Sequence, residues 1–172
     1  MPNMKSISVV IPALNEKDGI EVTIKAIPKV ELEKSGYSLQ VLVVDGCSDD
    51  NTVELAKRAG AEVIIEPLRG YGVAFKTGFD HASGDIIVTA DADGTYPMED
   101  ICNLVQLLDK ENLEFITTNR FAFMQKGAMS FRNKIVNMIL NLTTIILFRI
   151  NLKDCQSGMW VFRKSILDRL VL

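Results

Sequence analysis

Residues 85–97, DIIVTADADGTYP, carry an apolar run straight into two carboxylates one residue apart. The run is rich in β-branched residues and does not alternate apolar with polar, so it reads as a strand buried on both faces. The same signature returns at SISVVIP (6–12), LQVLVVD (39–45) and AEVIIE (61–66), and more weakly at EFITTN (114–119). Helical patterns fill the gaps. One runs from Asn15 to Pro28, and SDDNTVELAKRAG (48–60) begins on capping residues and closes on Gly60. GYGVAFKTGFDHASG (70–84) and PMEDICNLVQLLDKEN (97–112) follow, the latter opening on Pro97 with acids in its first turn. Strands alternating with helices imply right-handed crossovers and an α/β fold: a Rossmann-like, mostly parallel sheet with helices on both faces.

The chain of 172 residues, 48% of them hydrophobic, is long enough for one well-filled core, and a single domain over 1–172 is expected. Cys47, Cys102 and Cys155 lack CxxC spacing and read as buried apolar residues, not as a disulfide framework or a zinc site. No segment reaches the roughly 20 apolar residues of a membrane span, so a cytoplasmic protein is the default. Charge is unevenly divided. Residues 1–118 hold 10 basic and 20 acidic side chains, a balance of −10, whereas 119–172 hold 9 and 2, a balance of +7. The later segment is expected to meet something anionic, phosphates or a membrane surface, and no nucleic-acid partner is expected. Within it, IVNMILNLTTIILFRI (135–150) places Asn137, Asn141 and Thr144 at helical spacing and leaves a broad apolar face. That face suits a core or dimer helix, or a lipid surface.

In open parallel sheets, ligands sit beyond the carboxyl ends of the strands. IPALNE, VDGCSDDNT and ADADGTYP fall there, and their polar residues are expected to converge on one crevice. If extended geometry persists, Asp91 and Asp93 project to the same side, and at roughly 6 Å their repulsion would cost about 3 kcal/mol. A divalent cation removes that penalty, and hard carboxylate oxygens suit Mg²⁺ or Mn²⁺ with positions left for substrate phosphates.

Taken together, SVVIPALNE (8–16), VVDGCSDDNT (43–52), GYGVAFKTGF (70–79), ADADGTYP (90–97) and DCQSGMWVFRK (154–164), in this order, resemble the family 2 inverting glycosyltransferases of the GT-A fold. Within that family they look most like the dolichyl-phosphate and polyprenyl-phosphate sugar synthases. The resemblance covers nearly the whole chain and implies a nucleotide-diphosphate sugar donor, linked through GDP or UDP. It implies that Pro12, Ala13 and Glu16 border the nucleotide, with Ala92 beside them, and that Asp45 hydrogen-bonds the base or ribose. It further implies that Asp91 and Asp93 hold the metal, that Arg120 meets the diphosphate, and that Arg132 meets the acceptor phosphate. Ser157 and Gly158 match an acceptor-side motif. Gly46 stands where many relatives have a second Asp, and Thr95 where the lipid-phosphate enzymes often carry Gln, which leaves base identity and metal geometry open. Family catalytic domains continue past this motif, so a C-terminally truncated domain is one expectation.

The acceptor can also be argued from chemistry. A hydroxyl acceptor calls for a general base, whereas a phosphate monoester is ionised at neutral pH and is itself the nucleophile. No QxxRW motif occurs, and Arg120, Lys126, Arg132, Lys134, Arg163 and Lys164 offer charge to an anionic acceptor. A lipid phosphate at the cytoplasmic face of a membrane is therefore expected, with peripheral membrane contact. Asp154 as a base keeps a saccharide hydroxyl acceptor open, and a non-catalytic nucleotide-sugar-binding module is a further alternative. DADGT also fits the DxDGT motif of haloacid-dehalogenase-like phosphatases, but no GD pair follows Asp109 to complete their metal site. His81 reads as a helix-end residue, and Trp160 with Phe162 as packing.

Overall fold

The computed structural model of the chain describes residues 4–119, 131–149, 154 and 157–170, with backbone alone for 131–135. Contacts divide it into two compact units, one formed by Met1–Ile116 with Met159–Leu172, the other by Thr117–Gly158.

The expected strands are all present: β1 (Lys5–Ala13), β2 (Tyr37–Asp45), β3 (Glu62–Ile65), β4 (Ile86–Thr89) and β5 (Phe115–Thr117). A further strand, β6 (Trp160–Arg163), completes a six-stranded sheet of order β3-β2-β1-β4-β6-β5. β1 pairs in parallel with β2 and β4, and β2 with β3, while β6 runs antiparallel to β4. The sheet is thus mostly parallel. Successive residues face opposite sides and both sides are buried, which is why the runs do not alternate. Ile7, Val9 and Ile11 join Val41, Val43, Ile86 and Val88 in one core, while Val10, Leu42, Val44 and Ile87 join the other.

Helices cover each side. α1 (Ile20–Lys25), α2 (Lys29–Lys34), α3 (Thr52–Arg58) and, further along, α5 (Ile101–Lys110) contribute Ile20, Ile24, Leu32, Ala56, Ile101, Val105 and Leu108 to the first core. α4 (Tyr71–His81) lays Ala74, Phe75 and Phe79 on the second. There Phe79 meets Phe162 edge-on at 5.6 Å, and Trp160 lies between Phe75 and Phe115 at 5.9 and 6.2 Å, the packing role expected of it. The helical pattern from Asn15 to Pro28 is realised only from Ile20 to Lys25. Pro28 lacks an N–H and bars the residue before it from helical geometry, so the chain restarts as α2 beyond it.

In the second unit, α6 (Phe131–Phe148) extends the apolar block forward. Asn137 is buried, whereas Met138, Ile139, Leu142, Ile146, Leu147 and Phe148 are exposed. No helix among the described residues is long and apolar enough to cross a membrane.

Candidate active site

Parallel pairing brings the carboxyl ends of β1, β2, β3 and β4 to one edge of the sheet. Backbone bonds carry the alignment beyond the strands: Gly46 N donates to Ala13 O at 2.9 Å, Glu66 N to Asp45 O at 2.8 Å, and Ala90 N to Val10 O at 3.2 Å. Side chains then stitch the first two tips together. Asn15, at φ 58°, donates its N–H to Ser48 Oγ at 2.9 Å and accepts from Asp49 N at 3.0 Å. Glu16 N donates to Thr52 Oγ1 at 2.8 Å, and Thr52 Oγ1 in turn donates to Asp50 Oδ1. Segments more than 30 residues apart in sequence thereby share one rigid rim.

β4 ends at Thr89, so Asp91 and Asp93 ride on a turn and not on a continued strand. The turn has its own causes. Asp93 Oδ1 accepts from Thr95 N at 3.0 Å and Thr95 Oγ1 at 2.7 Å, and Gly94 adopts φ 75°, which L-residues rarely accept. Thr23 Oγ1, from α1, donates to Ala92 O at 3.2 Å. Gly19 lets the chain pass close behind: a Cβ there would lie 2.5 Å from Ala92 O and 2.7 Å from Asp93 Cα. Asp91 and Asp93 are therefore presented by a turn and not by the extended strand from which their same-side placement was inferred.

Around this turn opens a cleft of about 460 Å³. Pro12, Ala13, Glu16, Asp91, Ala92 and Asp93 all line it, although they come from two strand ends some 80 residues apart. Gly46 also reaches it. Asp45 stands behind, fully buried, with Oδ2 accepting from Ser48 N at 2.8 Å and Oδ1 from Ser48 Oγ at 2.5 Å. Its carboxylate organises the 46–51 loop. The rim is electronegative: burial, then the charges of Asp93, Asp91 and Asp50, hold the Glu16 carboxyl above its ordinary range.

Sequence reasoning missed the opposite wall. Glu66, Leu68, Arg69 and Tyr71 line it, from the β3–α4 connection and the first residue of α4. Tyr71 Oη donates to Asp91 Oδ1 at 2.5 Å. The basic residue directly before a glycine at a helix start was the available signal for Arg69. Tyr71 lies in GYGVAFKTGF, one of the motifs of the resemblance, but nothing in its spacing points to a residue 20 positions on.

The donor set suits a hard divalent cation. Asp91 and Asp93 both line the cleft, and the hydrogen bonds from Tyr71 and Thr95 are accepted through Oδ1 in each. Among the described residues no group of three or more His, Cys, Asp or Glu gathers as a closed cage. An ion held by the pair would keep positions for phosphate oxygens and water, as Mg²⁺ and Mn²⁺ do.

Of the residues expected to offer charge to the acceptor, Arg163 and Lys164 are engaged elsewhere in the first unit, Arg163 with Asp109 at 3.2 Å and Lys164 Nζ donating to Ala82 O at 2.5 Å, and neither lines the cleft. The other acceptor-side expectations fall in the second unit or outside the described residues. Arg120 lies outside them, as do Lys126 and Cys155, and Arg132 lies in the first turn of α6 with its side chain undescribed. Ser157 and Gly158 are buried, Ser157 Oγ lying 2.8 Å from Thr118 Oγ1, and Asp154 is also buried. His81 closes α4 with Nδ1 2.9 Å from Thr77 O.

Residues 8–171 match the family model described as glycosyl transferase family 2. Glycosyltransferase AglJ of Haloferax volcanii is 32% identical over 170 residues, 98% of this chain and 54% of that protein. Undecaprenyl-phosphate 4-deoxy-4-formamido-L-arabinose transferase of Salmonella paratyphi B is 34% identical over 148 residues, 82% of this chain and 45% of that one. The chain thus spans about half the length of these curated relatives. Among solved structures, glucosyl-3-phosphoglycerate synthase from Mycobacterium tuberculosis in complex with Mn²⁺, UDP-glucose and phosphoglyceric acid superposes with a TM-score of 0.74 at 26% identity, covering 96% of this chain and 59% of that one.

Proposed function

The chain belongs to glycosyl transferase family 2, and from that membership we propose that it moves a sugar, with inversion, from a nucleoside-diphosphate sugar to a polyprenyl- or dolichyl-type lipid phosphate. Its α/β architecture is that of the GT-A glycosyltransferases. One observation carries the reading: both aspartates of the ADADGTYP turn line the same cleft as Pro12, Ala13 and Glu16 from the first strand tip.

In this reading Pro12, Ala13, Glu16 and Gly46 border the nucleoside, and Asp45 acts on it through the loop it holds. Asp91 and Asp93 hold Mg²⁺ or Mn²⁺, with Ala92 between them. The bound cation would neutralise charge developing on the leaving diphosphate. Arg69, on the facing wall, adds a fixed positive charge toward the same phosphates, as Arg120 is proposed to do. The acceptor phosphate, placed by Arg132, attacks the anomeric carbon and needs no general base. Support for this acceptor comes from the Salmonella relative, named for undecaprenyl phosphate. The exposed apolar face of α6 favours peripheral contact with the cytoplasmic leaflet.

A second reading has its own observation. The M. tuberculosis enzyme binds phosphoglyceric acid, so a small phosphorylated acid offering a hydroxyl is the rival acceptor. Nucleotide release from UDP- and GDP-sugars, measured with polyprenyl phosphate, with 3-phosphoglycerate and with neither, separates the two. Release that needs Mn²⁺ or Mg²⁺ and polyprenyl phosphate, and that disappears in Asp93→Asn, is expected. Donor binding without release under any condition would leave a binding module.

A further inference from the structure

Each carboxylate of the aspartate pair has its own orienting partner, and the two partners come from different places. Asp93 is held by Thr95, two residues along in the same turn. Asp91 is held by Tyr71, which belongs to the opposite wall of the cleft. We propose that Tyr71 is a positioning residue for cation binding: its hydroxyl fixes Asp91 in place and ties the 66–71 segment to the aspartate turn. The proposal rests on the reading of Asp91 and Asp93 as cation ligands.

Tyr71 is 55% exposed, so burial alone does not account for where its ring sits. The ring is anchored edge-on to Phe75 at a centroid distance of 4.7 Å and an interplanar angle of 87°. Phe75 is itself buried against the sheet. The hydroxyl then meets a carboxylate oxygen at 2.5 Å, within the short range of O–H···O⁻ bonds, which are stronger than neutral ones. The other end of the segment is tied as well. Glu66 accepts from Leu68 N at 2.9 Å and from Thr77 Oγ1 of α4. Arg69 sits between these two ties and lines the same cleft. A carboxylate already oriented loses less freedom when it takes up a cation, so affinity rises without a new ligand. Donation to Oδ1 leaves Asp91 its second oxygen for that purpose.

The full chain carrying Tyr71→Phe keeps the ring on Phe75 and removes only the hydroxyl. Mn²⁺ titration followed by electron paramagnetic resonance, without nucleotide, is expected to give a dissociation constant raised about tenfold over the unaltered protein. In nucleotide-release assays the Mn²⁺ activation constant should rise by the same factor, with the rate at saturating Mn²⁺ within about twofold and the thermal unfolding curve unchanged. Tyr71→Leu serves as the packing control, since it removes the ring as well. If Tyr71→Phe binds Mn²⁺ like the unaltered protein while Asp93→Asn does not, the positioning role is overturned and the cation site stands. A lowered melting temperature together with a lost rate at saturating Mn²⁺ would make Tyr71 merely structural, which also overturns it. An unaltered protein that binds no Mn²⁺ overturns both the role and the site.

Discussion

At Gly19 the chain entering α1 passes so close to the aspartate turn that a methyl group has no room, and the atoms it would strike are backbone, not flexible side chain. Relief would require the turn itself to move. Gly19→Ala is therefore expected to lower stability by about 1–3 kcal/mol, the usual range for overpacking. It should also weaken Mn²⁺ binding, although residue 19 is no ligand. Thermal unfolding and Mn²⁺ titration check this together, and a variant with unchanged Mn²⁺ affinity would show that the turn tolerates the displacement. The ligand candidates could be singled out in the chain because two hard oxygen donors stand one residue apart behind a buried apolar run, alongside two further polar clusters at strand ends. A single acid in that place, such as Asp45 or Glu66, serves local hydrogen bonds instead. The supports of the aspartate pair could not be singled out. Gly19, Thr23 and Tyr71 act through contacts 20 to 74 positions away, and no local pattern marks such a contact.

Strands were legible wherever the apolar run was continuous, because a sheet buried on both faces demands it. β6 went unread for a physical reason: its pairing with β4 is antiparallel, so no crossover helix announces it. For α6 the period was legible but its orientation was not. Asn137, Asn141 and Thr144 do share a stripe, and periodicity cannot say which stripe is buried. Asn137 is buried and the apolar residues are outside, the reverse of a helix that packs by burying its apolar face. Exposed apolar surface on a basic segment suits an anionic lipid surface. Binding to vesicles containing phosphatidylglycerol is expected, and it should weaken as salt screens Arg132, Lys134 and Arg149, the charged residues of 131–149. Leu142→Glu and Ile146→Glu should each reduce it about tenfold, since burying either side chain is worth roughly 1.5–3 kcal/mol. Mn²⁺ affinity should be unaffected. Co-sedimentation at low and high salt measures this, and variants that bind vesicles as well as the unaltered chain would remove α6 from the interface.

Across the whole fold, the end of the sheet opposite the cleft is closed by one carboxylate. Asp109, at the end of α5, accepts from Tyr37 Oη at 2.7 Å through Oδ2. Its Oδ1 lies 2.7 Å from Lys5 Nζ and 3.2 Å from the Arg163 guanidinium. Four residues from β1, β2, α5 and β6, spread from position 5 to position 163, thus meet at one point, which is why no stretch of sequence revealed it. Burial pushes the Asp109 carboxyl up, but the Lys5 and Tyr37 hydrogen bonds and the Arg163 charge outweigh it and hold the group below its ordinary range. Lys5 is half exposed, so solvent screens its ion pair and the stability it contributes is discounted accordingly. A carboxyl held low in the fold contributes stability that is fully present above its unfolded value, about 3.9, and that is lost as pH falls through its lower folded value. Tyr37 works at the other limit. Burial, then the Asp109 bond, push its phenol up to about 12, so the stability it contributes is intact below about 10 and is lost as pH rises through that higher value. Asp109→Asn should cost about 1–3 kcal/mol at pH 7, the scale of hydrogen bonds to a charged group, and the deficit should shrink below about pH 4 as the unaltered carboxyl also protonates. Tyr37→Phe should flatten the alkaline limb and leave the acid limb in place. Urea unfolding midpoints from pH 3 to 11 test both variants, and a deficit in Asp109→Asn that stays constant down to pH 3 would mean that packing of α5, and not the charge on Asp109, holds this end of the sheet.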